Sequence, residues 1–221
     1  MIELKDKVLF ITGIDTNIGK TYATAWILNE LSKQGMNVIS QKFIQTGCEG
    51  FSEDIEMHMK ILSRKSHEGE LKYLTAPLIM SYPASPHLSA KIDNVSIDLD
   101  EIEKTTNTLI HKYKYDHVLI EGAGGVMVPV MKDYLTIDYI KDRKYPVSLV
   151  TSGRLGSLNH TLLSIEAIVN RDIKLHSIVY NEFPVFDRII AEDTKEYLKD
   201  YIVRNIPETQ FIEMKEIRNS I

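Results

Sequence analysis

The segment Gly13-Ile-Asp-Thr-Asn-Ile-Gly19-Lys20-Thr21 limits this chain more than any other. Before it runs Val8-Leu-Phe-Ile-Thr12, an apolar stretch typical of a strand covered on both faces. After it, Thr21 to Lys33 reads as an amphipathic helix with Ala25, Leu28 and Leu31 on its apolar face, stopped by Gly35. A glycine-bounded turn between strand and helix aims backbone N–H groups and the positive end of a helix dipole into one concavity. Phosphate oxygens need such a setting. There Lys20 would reach the β- and γ-phosphates and the Thr21 hydroxyl would ligate Mg²⁺. The spacing between Gly13 and Gly19 is one residue longer than in the common loop, and the competing reading is an ordinary strand-to-helix turn. The strand before and the helix after favour the phosphate site.

The alternation continues along the chain. Asn37 to Gln41, His117 to Glu121, Pro146 to Thr151 and Leu175 to Tyr180 read as strands. Asp54 to Ser63, Leu99 to Tyr113, Leu158 to Val169 and about Asp187 to Val203 read as helices. This pattern predicts an α/β fold: a mostly parallel central sheet flanked by helices on both faces. Ligands of such sheets bind beyond the carboxyl ends of the strands.

Composition narrows the class without naming an activity. At 221 residues and 43% apolar, the chain can bury a core without disulfide or metal staples. Its formal charge of −5 argues against broad nucleic-acid binding, which needs a basic face. The single Cys48 cannot form an internal disulfide, and no Cys/His cluster has zinc spacing. Charges at Glu3, Lys5 and Asp6 argue against a signal peptide, and no apolar run approaches ~20 residues, so the expectation is a cytoplasmic protein that avoids membranes.

A second motif, Glu121-Gly-Ala-Gly-Gly125, ends a buried strand. An acidic residue there is where nucleotide-hydrolysing folds hold Mg²⁺, although a glycine turn with a solvated carboxylate would look the same. Lys42 and Asp54 carry less information, because a lysine after a strand is usually solvated and an aspartate at a helix start compensates the dipole. Pro83-Ala-Ser-Pro-His87 reads as a rigid loop, and Asn159-His160 as polar residues near a helix start. Met57, Met59, Met80, Met127 and Met131 read as core filler.

Together these motifs resemble the dethiobiotin synthetase family over roughly Val8 to Asn181. Gly13 to Thr21 resembles its G-x-D-T-x-x-G-K-T loop, including the longer spacing. Lys42 with Thr46-Gly47 resembles K-P-x-x-[ST]-G, with Phe43 in place of proline. Asp54 fits the family's metal-binding aspartate, Pro83 to His87 its P-x-S-P-H loop, and Glu121 to Gly125 its E-G-A-G-G segment. Leu155-Gly-Ser-Leu-Asn159-His160 resembles L-G-x-[IL]-N-H, and Asn181 stands where the family has an asparagine near the base. The family's G-x-I-P stretch, which lines the base pocket, has its expected counterpart at Ile206-Pro207, without the glycine.

The resemblance implies an ATP- and Mg²⁺-dependent ring closure of 7,8-diaminononanoate (diaminopelargonate) with CO₂ or bicarbonate. The implied catalytic residues are Lys42, Lys20 and Thr16. Nucleotide contacts fall on Asp15, Thr16, Asn17, Ile18, Gly19, Lys20, Thr21, Tyr22, Glu121, Gly124 and Asn181. Thr21, Asp54 and Glu121 would ligate the metal. Thr16, Lys42, Thr46, Pro86, Gly122 and Gly125 would bind substrate, with its carboxylate held by Ser157, Leu158 and Asn159 of the second protomer in a homodimer. These elements interleave along the chain, which implies a single P-loop NTPase-like domain over residues 1–221.

Two alternatives remain. An amidating ligase would need a glutaminase domain, for which the length leaves no room. A partition-type switch ATPase would carry an extra early lysine, whereas Gly13, Ile14 and Asp15 stand there; such proteins often carry a membrane-targeting amphipathic tail, and Lys215 to Ile221 is too short to count for or against one.

Overall fold

The computed structural model describes residues 2–185 and 187–214; the tail Lys215 to Ile221 lies outside the described residues. The chain opens with β1 (Val8–Gly13), α1 (Lys20–Lys33), β2 (Val38–Lys42), β3 (Gln45–Thr46) and α2 (Glu53–Ile61). Next come α3 (Gly69–Thr75), β4 (Ile79–Met80), α4 (Pro86–Asp93), α5 (Leu99–His111) and β5 (His117–Gly125). Then follow β6 (Pro129–Met131), β7 (Tyr134–Leu135), α6 (Thr136–Asp142), β8 (Val147–Ser152) and α7 (Ser157–Val169). The described chain closes with β9 (Leu175–Asn181), α8 (Arg188–Asn205) and β10 (Gln210–Met214).

Six strands form one sheet in the order β10-β9-β8-β1-β5-β2, every neighbouring pair parallel. The apolar runs are continuous because each strand feeds two cores. On β1, Val8 and Phe10 pack with Ile102 and Leu109 of α5, Ile140 of α6 and Ile165 of α7. Leu9 and Ile11 point the other way, against Ala23, Ile27, Leu28 and Leu31 of α1. Each fully buried Leu or Ile contributes roughly 1.5–3 kcal/mol, so this two-sided pattern fixes both the register and the helix layers.

Several expectations change. The strand from His117 runs on to Gly125, because Gly125 still pairs with Gly13 of β1. Pro83 to Ser85 is loop, but Pro86 opens α4, where its fixed φ suits the first helical turn. Met59 and Met80 are core, whereas Met57, Met127 and Met131 are exposed. Met57 lies on the side of α2 opposite the buried Ile55 and Met59, as the helical period requires.

Ile206-Pro207 precedes β10. Because β10 runs parallel to β9, with Gln210 opposite Ser177 and Met214 opposite Asn181, that pair stands at the amino edge of the sheet. It therefore cannot line a pocket at the carboxyl edge, where Gly13, Lys42 and Gly125 end their strands.

Candidate active site

Two kinds of helix start bear on the site. The N-termini of α2, α5 and α8 are capped by the side chains of Ser52, Asp98 and Asp187. Those of α1 and α7 begin at left-handed glycines, Gly19 and Gly156, with no side-chain cap and no acid in the first turn. Their N–H donors and dipoles remain available to an anion. At Gly19, φ is 97°, and a Cβ would collide with the Asn181 amide. That amide donates from Nδ2 to the Ile18 carbonyl at 3.0 Å, and its Oδ1 accepts from Phe183 N–H at 3.0 Å. Asn181 thus clasps the loop from behind and does not line the cavity in front of it.

That cavity, about 550 Å³, opens over Lys20, Thr21, Lys42, Asp54 and Glu121, with Asn17 and Tyr22 also on its wall. Lys42 ends β2 opposite Glu121 of β5 and is buried rather than solvated. Its Nζ lies 2.5 Å from Asp54 Oδ2, 2.9 Å from Glu121 Oε1 and 3.2 Å from the Gly122 carbonyl. Thr21 Oγ1 lies 2.8 Å from Asp54 Oδ1 and 3.0 Å from Glu121 Oε1; with a single proton, the hydroxyl donates to one of them at a time. Since Ser52 already caps α2, the Asp54 carboxylate is released from dipole duty to face this cluster.

The charges reinforce one another. Burial alone would raise the Glu121 pKa, but Lys42 and His58 outweigh it and hold the carboxyl well below the usual carboxylate range. Burial likewise works against the Lys42 ammonium, and Glu121 and Asp54 overcome it, so its pKa rises. Lys20 makes no direct ion pair among the described residues: burial first, then the nearby Lys42 charge, outweighs the pull of Glu121, Asp54 and Asp15 and brings it down to about 8. Its Nζ donates to the Asp15 carbonyl at 2.9 Å. The Asp15 carboxylate pairs with Arg154, the main cause of its lowered pKa, and also accepts from Thr16 N–H at 2.7 Å.

A second cavity of about 400 Å³ adjoins the first, sharing Thr16, Thr46, Ala123 and Gly124 and reaching Pro86. Predicted loop, metal and substrate residues therefore meet at one place. Others stand apart. Ile18 is buried under the loop, Gly125 pairs with β1, and Gly122 offers only its carbonyl to Lys42. Ser157 is buried with its Oγ 3.0 Å from Ser152 Oγ, Leu158 is half-buried and Asn159 is exposed; none of the three lines either cavity. Sequence reasoning missed His58, whose Nε2 lies 2.7 Å from Glu121 Oε2. Its signal was available: it follows Asp54 by four residues, one helical turn.

The parallel sheet and the glycine loop opening a bare helix N-terminus, with a buried acid beside its Lys-Thr pair, define a P-loop NTPase-like α/β protein. Residues 7–212 match the AAA domain family. A MinC:MinD cell division protein complex of Aquifex aeolicus superposes with a TM-score of 0.54 over 96% of this chain and 82% of that one; at 16% identity the likeness is one of fold. Sequence relatives go further. The ATP-dependent dethiobiotin synthetase BioD 2 of Pasteurella multocida is 46% identical over 93% of this chain and 95% of its own length. The ATP-dependent dethiobiotin synthetase BioD of Chlorobaculum tepidum is 44% identical over 88% and 81%. The chain belongs to the ATP-dependent dethiobiotin synthetase family.

Proposed function

We propose that this protein is a cyclo-ligase closing a ureido ring on 7,8-diaminononanoate with CO₂, at the expense of ATP. One amine adds to CO₂ and loses a proton, giving a carbamate. A carbamate oxygen attacks the γ-phosphorus and ADP leaves, producing a carbamic-phosphoric anhydride. The second amine attacks the carbonyl, loses its proton, and expels phosphate as the ring closes. The observation carrying this reading is the meeting of Lys42, Asp54, Glu121 and Thr21 beside the glycine loop, next to a second cavity wide enough for a small substrate.

Phosphoryl transfer needs positioning and charge neutralisation rather than a protein nucleophile. Lys20 would meet the γ-phosphate, where anionic oxygens restore the charge that burial costs it. Lys42 would hold the carbamate anion, a task suited to a compact ammonium, and Thr16 would contact diamine and carbamate from the wall common to both cavities. Two carboxylates, each within 3.0 Å of the same hydroxyl, form with it a hard-oxygen set that fits Mg²⁺. Thr21, Asp54 and Glu121 would hold that ion, which would neutralise phosphate charge.

The bare N-terminus of α7 suits a substrate carboxylate, and its position outside both cavities agrees with delivery from a second protomer. The reading places one catalytic unit over residues 1–221 in the cytoplasm; no helix of the described residues is long and apolar enough to cross a membrane. The test omits one component at a time from protein, Mg-ATP, bicarbonate and diaminopelargonate, following phosphate release and dethiobiotin by mass spectrometry. Release that needs the diamine is expected; release indifferent to it would point to a switch ATPase.

A further inference from the structure

His58 takes part in none of the proposed reaction steps, yet it grips the carboxylate at the centre of the site. Asp54 and His58 stand one turn apart, so one face of α2 presents a carboxylate to Thr21 and Lys42 and an imidazole to Glu121. The imidazole is fully buried, with Nε2 2.7 Å from Glu121 Oε2 and Nδ1 2.9 Å from Ser40 Oγ on β2. An ionised carboxylate only accepts, so Nε2 carries the proton in this contact; at the other ring nitrogen the Ser40 hydroxyl can donate or accept, so it serves as partner to Nδ1 with or without a proton there.

The two oxygens of Glu121 consequently have different surroundings. Oε2 is closed off by His58, while Oε1 faces Thr21 Oγ1 at 3.0 Å and Lys42 Nζ at 2.9 Å. The terminal torsion of a glutamate is broad, so an untied carboxylate could turn both oxygens toward Lys42. A leucine would fill the same space in the helix without fixing that torsion.

We propose that His58, anchored by Ser40, is a positioning residue that ties back one oxygen of Glu121 so that only the other is presented to a divalent cation arriving with the nucleotide. This rests on Glu121 being a cation ligand and is independent of which diamine is carboxylated.

The experiment uses Mn²⁺ as the probe, bound to the full chain with a non-hydrolysable ATP analogue and read by electron paramagnetic resonance. His58→Leu is expected to weaken Mn²⁺ binding about 10–100-fold while leaving binding of the analogue in EDTA within about twofold, the scale seen when an outer hydrogen bond to a metal ligand is lost. His58→Gln, whose amide N–H still reaches a carboxylate, should recover most of the loss, and Ser40→Ala should lose a few-fold. Unchanged Mn²⁺ affinity in His58→Leu, or a glutamine variant no better than leucine, overturns the proposal. Should the leucine variant not fold, the ¹⁵N spectrum of the wild-type imidazole decides. A proton on Nε2 supports the tie, and a neutral ring protonated on Nδ1 overturns it. A wild-type chain that binds no Mn²⁺ with nucleotide also overturns it. Tight Mn²⁺ binding without ring closure would remove only the proposed reaction.

Discussion

Two ion-pair clusters stand at the carboxyl edge of the same sheet. Lys42, Asp54 and Glu121 have side chains 5%, 26% and 1% exposed. Lys195 and Lys199, with Glu182 and Glu213 at the ends of β9 and β10, are between 22% and 45% exposed. The pairing chemistry is the same, and burial makes the difference. In water the second set gains little from its contacts, because solvent screens them and long side chains lose entropy when held. In the first set desolvation makes every unpaired charge costly, so each group is fixed by its neighbours. The outer set decorates helix α8; the inner set forms a site.

Changes in the inner cluster should therefore exceed those in the outer one by a wide margin. Lys42→Ala leaves Glu121 buried with one cation fewer and is expected to cost about 3 kcal/mol in urea unfolding, the scale for breaking a buried pair. It should nearly abolish turnover with nucleotide binding largely intact, since Lys42 lies off the glycine loop; a stable, active variant would mean that the pair is not the organising contact. Lys20→Ala should weaken ATP binding by calorimetry roughly tenfold or more, the value of a charge-assisted hydrogen bond, and also lower the rate.

Lys20 also sets a pH dependence. Its ammonium has a pKa of about 8 in the nucleotide-free site and regains its charge against phosphate, so binding must take up a proton above that value. Affinity should then fall about tenfold per unit above pH 8, with proton uptake visible in buffers of different ionisation enthalpy. For the nucleotide-free chain the sign is opposite: the unfolded lysine holds its proton to higher pH, so Lys20 adds stability as pH rises between about 8 and its ordinary value. The smallest effect belongs to the outer set. Lys199→Ala should change stability by no more than about 0.5 kcal/mol, and a shift several times larger would erase the distinction between the clusters.

Much of the architecture could be read along the chain, because two-sided strands and one-sided helices have different hydrophobic periods. Five of the six strands of the sheet, the helix after Gly19 and the acid at Glu121 appear where that pattern places them, whereas the edge strand β10 was not expected. The short elements around the site, such as β3 with β4 and β6 with β7, were not legible, since two or three residues carry no period. Nor was the position of Ile206-Pro207. Only the parallel pairing of β10 with β9 shows that this segment stands at the edge away from the site.

The amino-acid sequence by itself determined that Gly13 to Thr21 turns from strand to helix, since glycine alone easily adopts the positive φ at Gly19 while Lys20 and Thr21 begin an amphipathic run. It also carried enough motif spacing to indicate the family. The protonation and pairing of the site were decided by tertiary structure. Lys42, Asp54, His58 and Glu121 are individually unremarkable in sequence, as solvated lysine, helix-start acid, helical histidine and strand-end acid. Parallel pairing of β2 with β5 sets Lys42 opposite Glu121, and α2 closes over both with Asp54 and His58. That closure buries Lys42, His58 and Glu121 and leaves Asp54 a quarter exposed at the cavity, and the loss of water around the first three couples four ordinary side chains into one site.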